Sequence, residues 1–194
     1  VLFLHGLQQP TIQGETVFED LLAEHGLAAV VPHCGPTWWV DRVTTAFDPE
    51  LSPQVYVLEQ VLPFMKQQLD VQPPRIALLG ISMGGQGALR LSYKFPDTFP
   101  VVAAISPAID YQLRLAEGDE ILWQLYGDPE VARQDTATLH IHPLNWPRHH
   151  YSRDWYPSGI ALRPLRQVRI HLPLAQSEEL RSCLHTKLVG LGTM

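Results

Sequence analysis

A glycine-flanked serine is the feature of this chain best suited to covalent chemistry. Gly80, Ile81, Ser82, Met83 and Gly84 spell G-x-S-x-G, the spacing of a nucleophile elbow, in which a sharp strand-to-helix turn exposes a serine hydroxyl. Glycine is required on either side because strand and helix approach too closely there for a Cβ, while the serine itself is expected in a strained conformation. The amide of Met83, at the start of the following helix, would face the oxyanion of a tetrahedral intermediate and share the positive end of the helix dipole. Composition alone produces this spacing in about one chain in fifteen of this length. Its weight therefore rests on its setting: an apolar run from Arg75 to Leu79 before it and a helix-compatible stretch from Gly84 to Lys94 after it. Without that setting it is a tight structural turn.

An elbow needs a second oxyanion donor, supplied by the loop after an earlier strand. Val1 to Leu4, followed by His5, Gly6 and Leu7, has that form. Gly6 lets the backbone approach a substrate, the Leu7 amide is the expected donor, and His5 is expected beside the pocket. The plain alternative is that His5 and Gly6 simply end a strand. Trp38 and Trp39 lie on the loop after the second candidate strand, where they either wall a substrate pocket or pack beneath a loop. Gln86, three residues past Met83, is expected to face the elbow and tie down backbone amides.

These groups must be carried by a framework, and the chain alternates short apolar runs with longer amphipathic ones. Val1 to Leu4 and Leu27 to Val31 read as strands, and Val17 to His25 and Ser52 to Asp70 as helices. This is the rhythm of a parallel sheet with crossover helices. Ser52 and Pro53 suit an N-cap and first helical position, and Val55, Val57, Leu58, Val61, Leu62 and Met65 recur at helical spacing. Pro73 and Pro74 stop the chain before Arg75 to Leu79, which reads as a strand buried on both faces. Val101 to Ile105 is the next strand, and Asp119 to Tyr126 and Glu130 to Asp135 read as short helices. The expected class is α/β, a mostly parallel sheet flanked by helices.

With these segments in place, the chain resembles the esterase D-like branch of the α/β-hydrolases, related to S-formylglutathione hydrolase and feruloyl esterases. The resemblance is carried by Val1 to Gly6, by Cys34 to Arg42 with both tryptophans, by Val57 to Phe64 and most specifically by Gly80 to Leu91. It implies an α/β-hydrolase fold, Ser82 as nucleophile, no cofactor and no metal, and a soluble ester or thioester of modest size as substrate. It also implies an acid after Ser82 at a strand end, for which Asp154 is the candidate, with Asp110 and Asp128 as weaker rivals. At Asp154, however, the chain has Arg153 and Trp155 as neighbours where the family usually has a small residue or cysteine before the Asp and a proline after it. Residues 1–155 are family-like, 156–183 diverge and 184–194 resemble a helix end, all within one domain expected to be incomplete at both termini. The family's catalytic histidine loop would follow Met194. His185 matches a helix position instead, and His149 and His150 precede Asp154, out of chain order. The alternative expectation is thus a catalytically impaired or non-catalytic relative.

Composition narrows the field further. The 194 residues are 45% hydrophobic and 18% charged, with formal charge −6, ordinary for one globular domain. No long basic face is available to a phosphate backbone, so no nucleic-acid partner is expected. No run of 18 apolar residues and no charged leader occurs, so no membrane association is expected either. The chain begins with Val1, and an upstream segment is expected to be missing. A cytoplasmic location is expected. Cys34 and Cys183 have no metal or redox spacing and read as free thiols. Loss of terminal layers would leave a sheet edge open to homo-oligomerisation.

Overall fold

The computed structural model describes residues 1–8, 11–142 and 147–153. Four parallel strands form one sheet in the order β1 (Leu2–Leu4), β2 (Ala77–Ile81), β3 (Val101–Ile105) and β4 (His149–Arg153). The register aligns Leu4 with Gly80, Gly80 with Ala104, and Ile81 with Ile105 and Arg153 across the rows. All four strands therefore end on one edge. The stretch read as a strand at Leu27 to Val31 contributes only a parallel bridge from Val30 to Leu2. There Phe3 donates to the Val30 carbonyl at 2.9 Å and Val30 to that of Val1 at 2.9 Å. Pro32 follows at once and has no N–H with which to continue the ladder.

Leu2, Leu4, Leu78, Val102 and Ala104 are buried with Met83, Ala88 and Leu91 of α4 (Met83–Lys94), which lies over the strands. The alternate residues of β2 and β3 are only half-buried. This corrects the expectation of a strand buried on both faces: β2 alternates with the period of two that a pleated strand imposes. Phe3, in register with Leu79 on the other face, meets Phe18 of α1 (Thr16–Glu24) edge-on at 6.3 Å.

The helical stretch after Ser52 is continuous but not uniform: α2 (Pro53–Tyr56), a π-helical turn (Val57–Val61) and α3 (Leu62–Leu69). Ser52 Oγ accepts from the Val55 amide at 3.2 Å and donates to Asp41 at 2.7 Å, as an N-cap should. The wide turn falls just where Pro63 would crowd the Glu59 carbonyl and cannot donate to it. Between β3 and β4 lie α5 (Tyr111–Ala116), α6 (Glu120–Tyr126), α7 (Pro129–Gln134) and a 3₁₀ turn (Ala137–His140). Among the described residues, no helix is long and apolar enough to cross a membrane.

Candidate active site

Ser82 occupies the joint between β2 and α4 with φ 56° and ψ −116°, a region that a non-glycine residue enters only when its surroundings compel it. The compulsion is visible. Its amide donates to Ile105 at 2.9 Å, extending the ladder with β3, and its carbonyl accepts from Gln86 and from Ala108, each at 3.1 Å. A Cβ on Gly80 would run into the Gly84 backbone and lie 2.7 Å from the Gly85 amide. A Cβ on Gly84 would strike the Leu4 carbonyl and come within 2.5 Å of the His5 carbonyl. These glycines let the elbow seat directly on the end of β1, against the Leu4 and His5 carbonyls. Ser82 remains half-buried, Met83 is buried and Leu7 is exposed. As a first-turn residue, Met83 has an amide with no acceptor inside its own helix.

His5 is wholly buried. The Cys34 amide donates to its Nε2 at 3.2 Å, and Nδ1 lies 2.9 Å from the Gly6 carbonyl. An amide only donates and a carbonyl only accepts, so the ring is the neutral tautomer with its proton on Nδ1. Burial pushes its pKa down, as does His33 stacked at 5.4 Å, against an opposing pull from the Gly6 carbonyl.

Trp38 and Trp39, expected either as pocket walls or as packing, are placed in the core at 2% and 0% exposure. Both have positive φ, 58° and 55°, an outlying conformation for so bulky a residue. They are held from several sides: the Trp38 amide donates to Met83 Sδ at 3.3 Å, Trp39 Nε1 to the His5 carbonyl at 3.1 Å, and Trp39 fills the space that a Cβ on Gly87 would need. The packing alternative describes this geometry. Gln86 Oε1 accepts from the Ala137 amide at 3.4 Å, as its expected backbone-tying role requires.

The acid and base candidates divide by position. β4 pairs with β3 and ends at Arg153 on the edge where Ser82 and Ser106 sit. Asp154 is the next residue and lies outside the described residues, as do Cys183 and His185. Asp110 and Asp128 are spent as helix caps, accepting from Leu113 at 2.8 Å and from Glu130 and Val131 at 2.7 and 3.1 Å. His149 and His150 pair with Val101 and Val102, about 13 and 10 Å along the strands from the Ile105–Arg153 row next to Ser82, at about 3.3 Å per residue. Tyr93 Oη meets the His150 ring at 3.1 Å. Among the described residues, no hydrogen bond engages Ser82 Oγ.

A buried ionic cluster beside α4 was not foreseen. Arg90, 1% exposed, donates from Nε and Nη2 to the two oxygens of Asp135 at 2.9 Å each and from Nη1 to Gln54 at 2.8 Å. Tyr126 Oη donates to Asp135 at 2.7 Å, and His140 Nε2 lies 3.1 Å from it. Burial pushes the Asp135 carboxyl up, but His140, Arg90 and Tyr126 together hold it well below the usual carboxylate range. Arg90 sits among Ala88, Leu89 and Leu91, successive positions that spread around a helix and form no single face, so no local pattern marked it.

Comparison with known proteins agrees with this architecture. The family described as "Putative esterase" matches residues 1–189. S-formylglutathione hydrolase of Rattus norvegicus is 27% identical over 46% of this chain and 38% of its own length. The structure of an S-formylglutathione hydrolase from Agrobacterium tumefaciens superposes with a TM-score of 0.59 at 20% identity, over 70% of this chain and 56% of that one. MPT51 (FbpC1) of Mycobacterium tuberculosis does so with a TM-score of 0.55 at 17% identity, over 72% and 58%. A ferulic acid esterase gives 0.54 at 17%, over 74% and 59%. This chain thus spans well under two thirds of these relatives, which share with it an α/β-hydrolase fold. By the match over residues 1–189, the chain belongs to this esterase family.

Proposed function

We propose that the chain carries the nucleophile and oxyanion side of a serine hydrolase acting on a carboxylic ester or thioester. The observation that carries this reading is the strained Ser82 on a strand-to-helix turn, seated through Gly84 on the end of β1. Ser82 Oγ attacks the carbonyl carbon and gives its proton to a histidine base, and the Met83 and Leu7 amides receive the oxyanion. Collapse of the tetrahedral intermediate expels the alcohol or thiol, which takes up that proton. Water then attacks the acyl-enzyme and releases the carboxylic acid. In this scheme Asp154, following the strand that ends beside Ser106, orients the base. The relatives named for S-formylglutathione and ferulic acid favour a small, soluble thioester or ester.

Hydrolysis of a short-chain aryl ester by the purified protein, compared with Ser82→Ala, tests the reading. Turnover should fall to background in the variant, and a phosphonate should label the peptide containing Ser82. Turnover that survives Ser82→Ala overturns it.

A further inference from the structure

The oxyanion loop contains one group that the scheme above leaves unused, the imidazole of His5. Its carbonyl is held by Trp39 Nε1, its Nε2 by the Cys34 amide, and its Nδ1 faces the Gly6 carbonyl at 2.9 Å. Trp39 is in turn wedged against Gly87, whose absent Cβ would lie 2.5 Å from that of Trp39. A chain of contacts therefore runs from α4 through Trp39 to His5 and on to the Gly6 carbonyl.

The Gly6–Leu7 peptide is trans, so the Gly6 carbonyl and the Leu7 N–H belong to one rigid plane and point in opposite directions. Gly6 has no side chain to limit rotation of that plane. We propose that His5 is the positioning residue for the second oxyanion donor: by donating from Nδ1 to the Gly6 carbonyl it fixes the peptide plane and with it the direction of the Leu7 N–H. The inference rests on the assignment of Leu7 in the proposed function. Its chemistry is balanced without proton transfer, because the ring acts as a neutral strut, accepting at Nε2 and donating at Nδ1. Protonation would set a second N–H against that of Cys34 and release the ring. The titratable group facing it is His33, stacked at 5.4 Å; the Cys34 thiol is taken up by Thr37 at 2.9 Å.

Two variants separate the two ends of the ring. His5→Asn places an amide N–H near Nδ1 and keeps the bond to Gly6. His5→Gln reaches the Nε2 position and keeps only the side toward Cys34. Kinetics on a short-chain aryl ester, unfolding midpoints and pH profiles are measured for the wild type, both variants and Ser82→Ala. Loss of one oxyanion donor costs about 10²- to 10³-fold in kcat. His5→Gln should therefore lose about 100-fold in kcat with little change in KM, while His5→Asn recovers at least about tenfold of that. The wild type should also show a loss of kcat on acidification that is steeper than in His5→Asn. Turnover that persists in Ser82→Ala overturns the ester-hydrolase reading and the inference together. Turnover that needs Ser82 but is equal in the two His5 variants, or that merely follows their unfolding midpoints, overturns the inference alone.

Discussion

The elbow at Ser82 and the cluster around Asp135 both meet α4, one at its N-terminus and the other through Arg90, yet they are held by opposite means. At the elbow almost everything is backbone: amides and carbonyls of Ser82, Gln86, Ile105 and Ala108, with glycines where a Cβ would collide. At the cluster almost everything is side chain: Gln54, Tyr126 and His140 converge on the Arg90 guanidinium and the Asp135 carboxylate. The first arrangement tolerates strain because its bonds join backbone groups of fixed geometry, held from β1, β3 and the loop after β3. The second gathers charge out of water and must satisfy every donor and acceptor to be stable at all. A backbone-built site leaves its mark as a motif, and a side-chain-built one does not.

The largest effect that would break this comparison comes from the cluster. Asp135→Ala strips Arg90 of its counter-charge and should cost about 3 to 5 kcal/mol in urea unfolding. Arg90→Met combined with Asp135→Leu should restore much of that loss, since a well-packed apolar pair removes the buried charge altogether. A cost below about 1 kcal/mol would make the cluster equivalent to a surface ion pair. The difference between wild type and Asp135→Ala should also depend on pH. The folded carboxyl lies below its unfolded value of about 3.9, so the contribution is fully present above that pH and is lost as pH falls through the folded value.

A smaller stability effect with a larger functional one is expected at Gly84→Ala. The added Cβ meets backbone carbonyls of Leu4 and His5, which cannot turn aside as a flexible side chain would. Overpacking of this kind costs about 1 to 3 kcal/mol. Because the displaced carbonyls lead directly into Gly6 and Leu7, phosphonate labelling of Ser82 should slow more than the stability loss explains. Equal labelling rates would show that the elbow and the oxyanion loop are not mechanically joined.

The mildest prediction concerns Cys34, which lies between the two tryptophans and His5 in the chain. Burial raises its pKa to about 12, with the hydrogen bond to Thr37 opposing, and a thiol so placed is a poor nucleophile. Peptide mapping after iodoacetamide treatment should find Cys34 unmodified in the native protein and alkylated in urea. Rapid native alkylation would mean that the loop carrying Trp38 and Trp39 opens readily, which its packing against Met83 and Gly87 argues against.

The sequence by itself determined the strand Val101 to Ile105, the cap at Ser52 and the position of Ser82, because each rests on local demands: an apolar run bounded by Pro100 and Pro107, a free first-turn amide, a turn that only glycines can flank. It also directed attention to His5, though not to its role, which depends on an amide 29 residues away. Only the tertiary structure decided that Trp38 and Trp39 are core, that Asp110 and Asp128 cap helices, and that His149 and His150 stand at the wrong end of their strand. Register placed those histidines, and register is a relation between strands far apart in the chain. Arg90 and Asp135 likewise carry no local pattern, since a buried ion pair is defined by what surrounds it after folding and not by spacing along the chain.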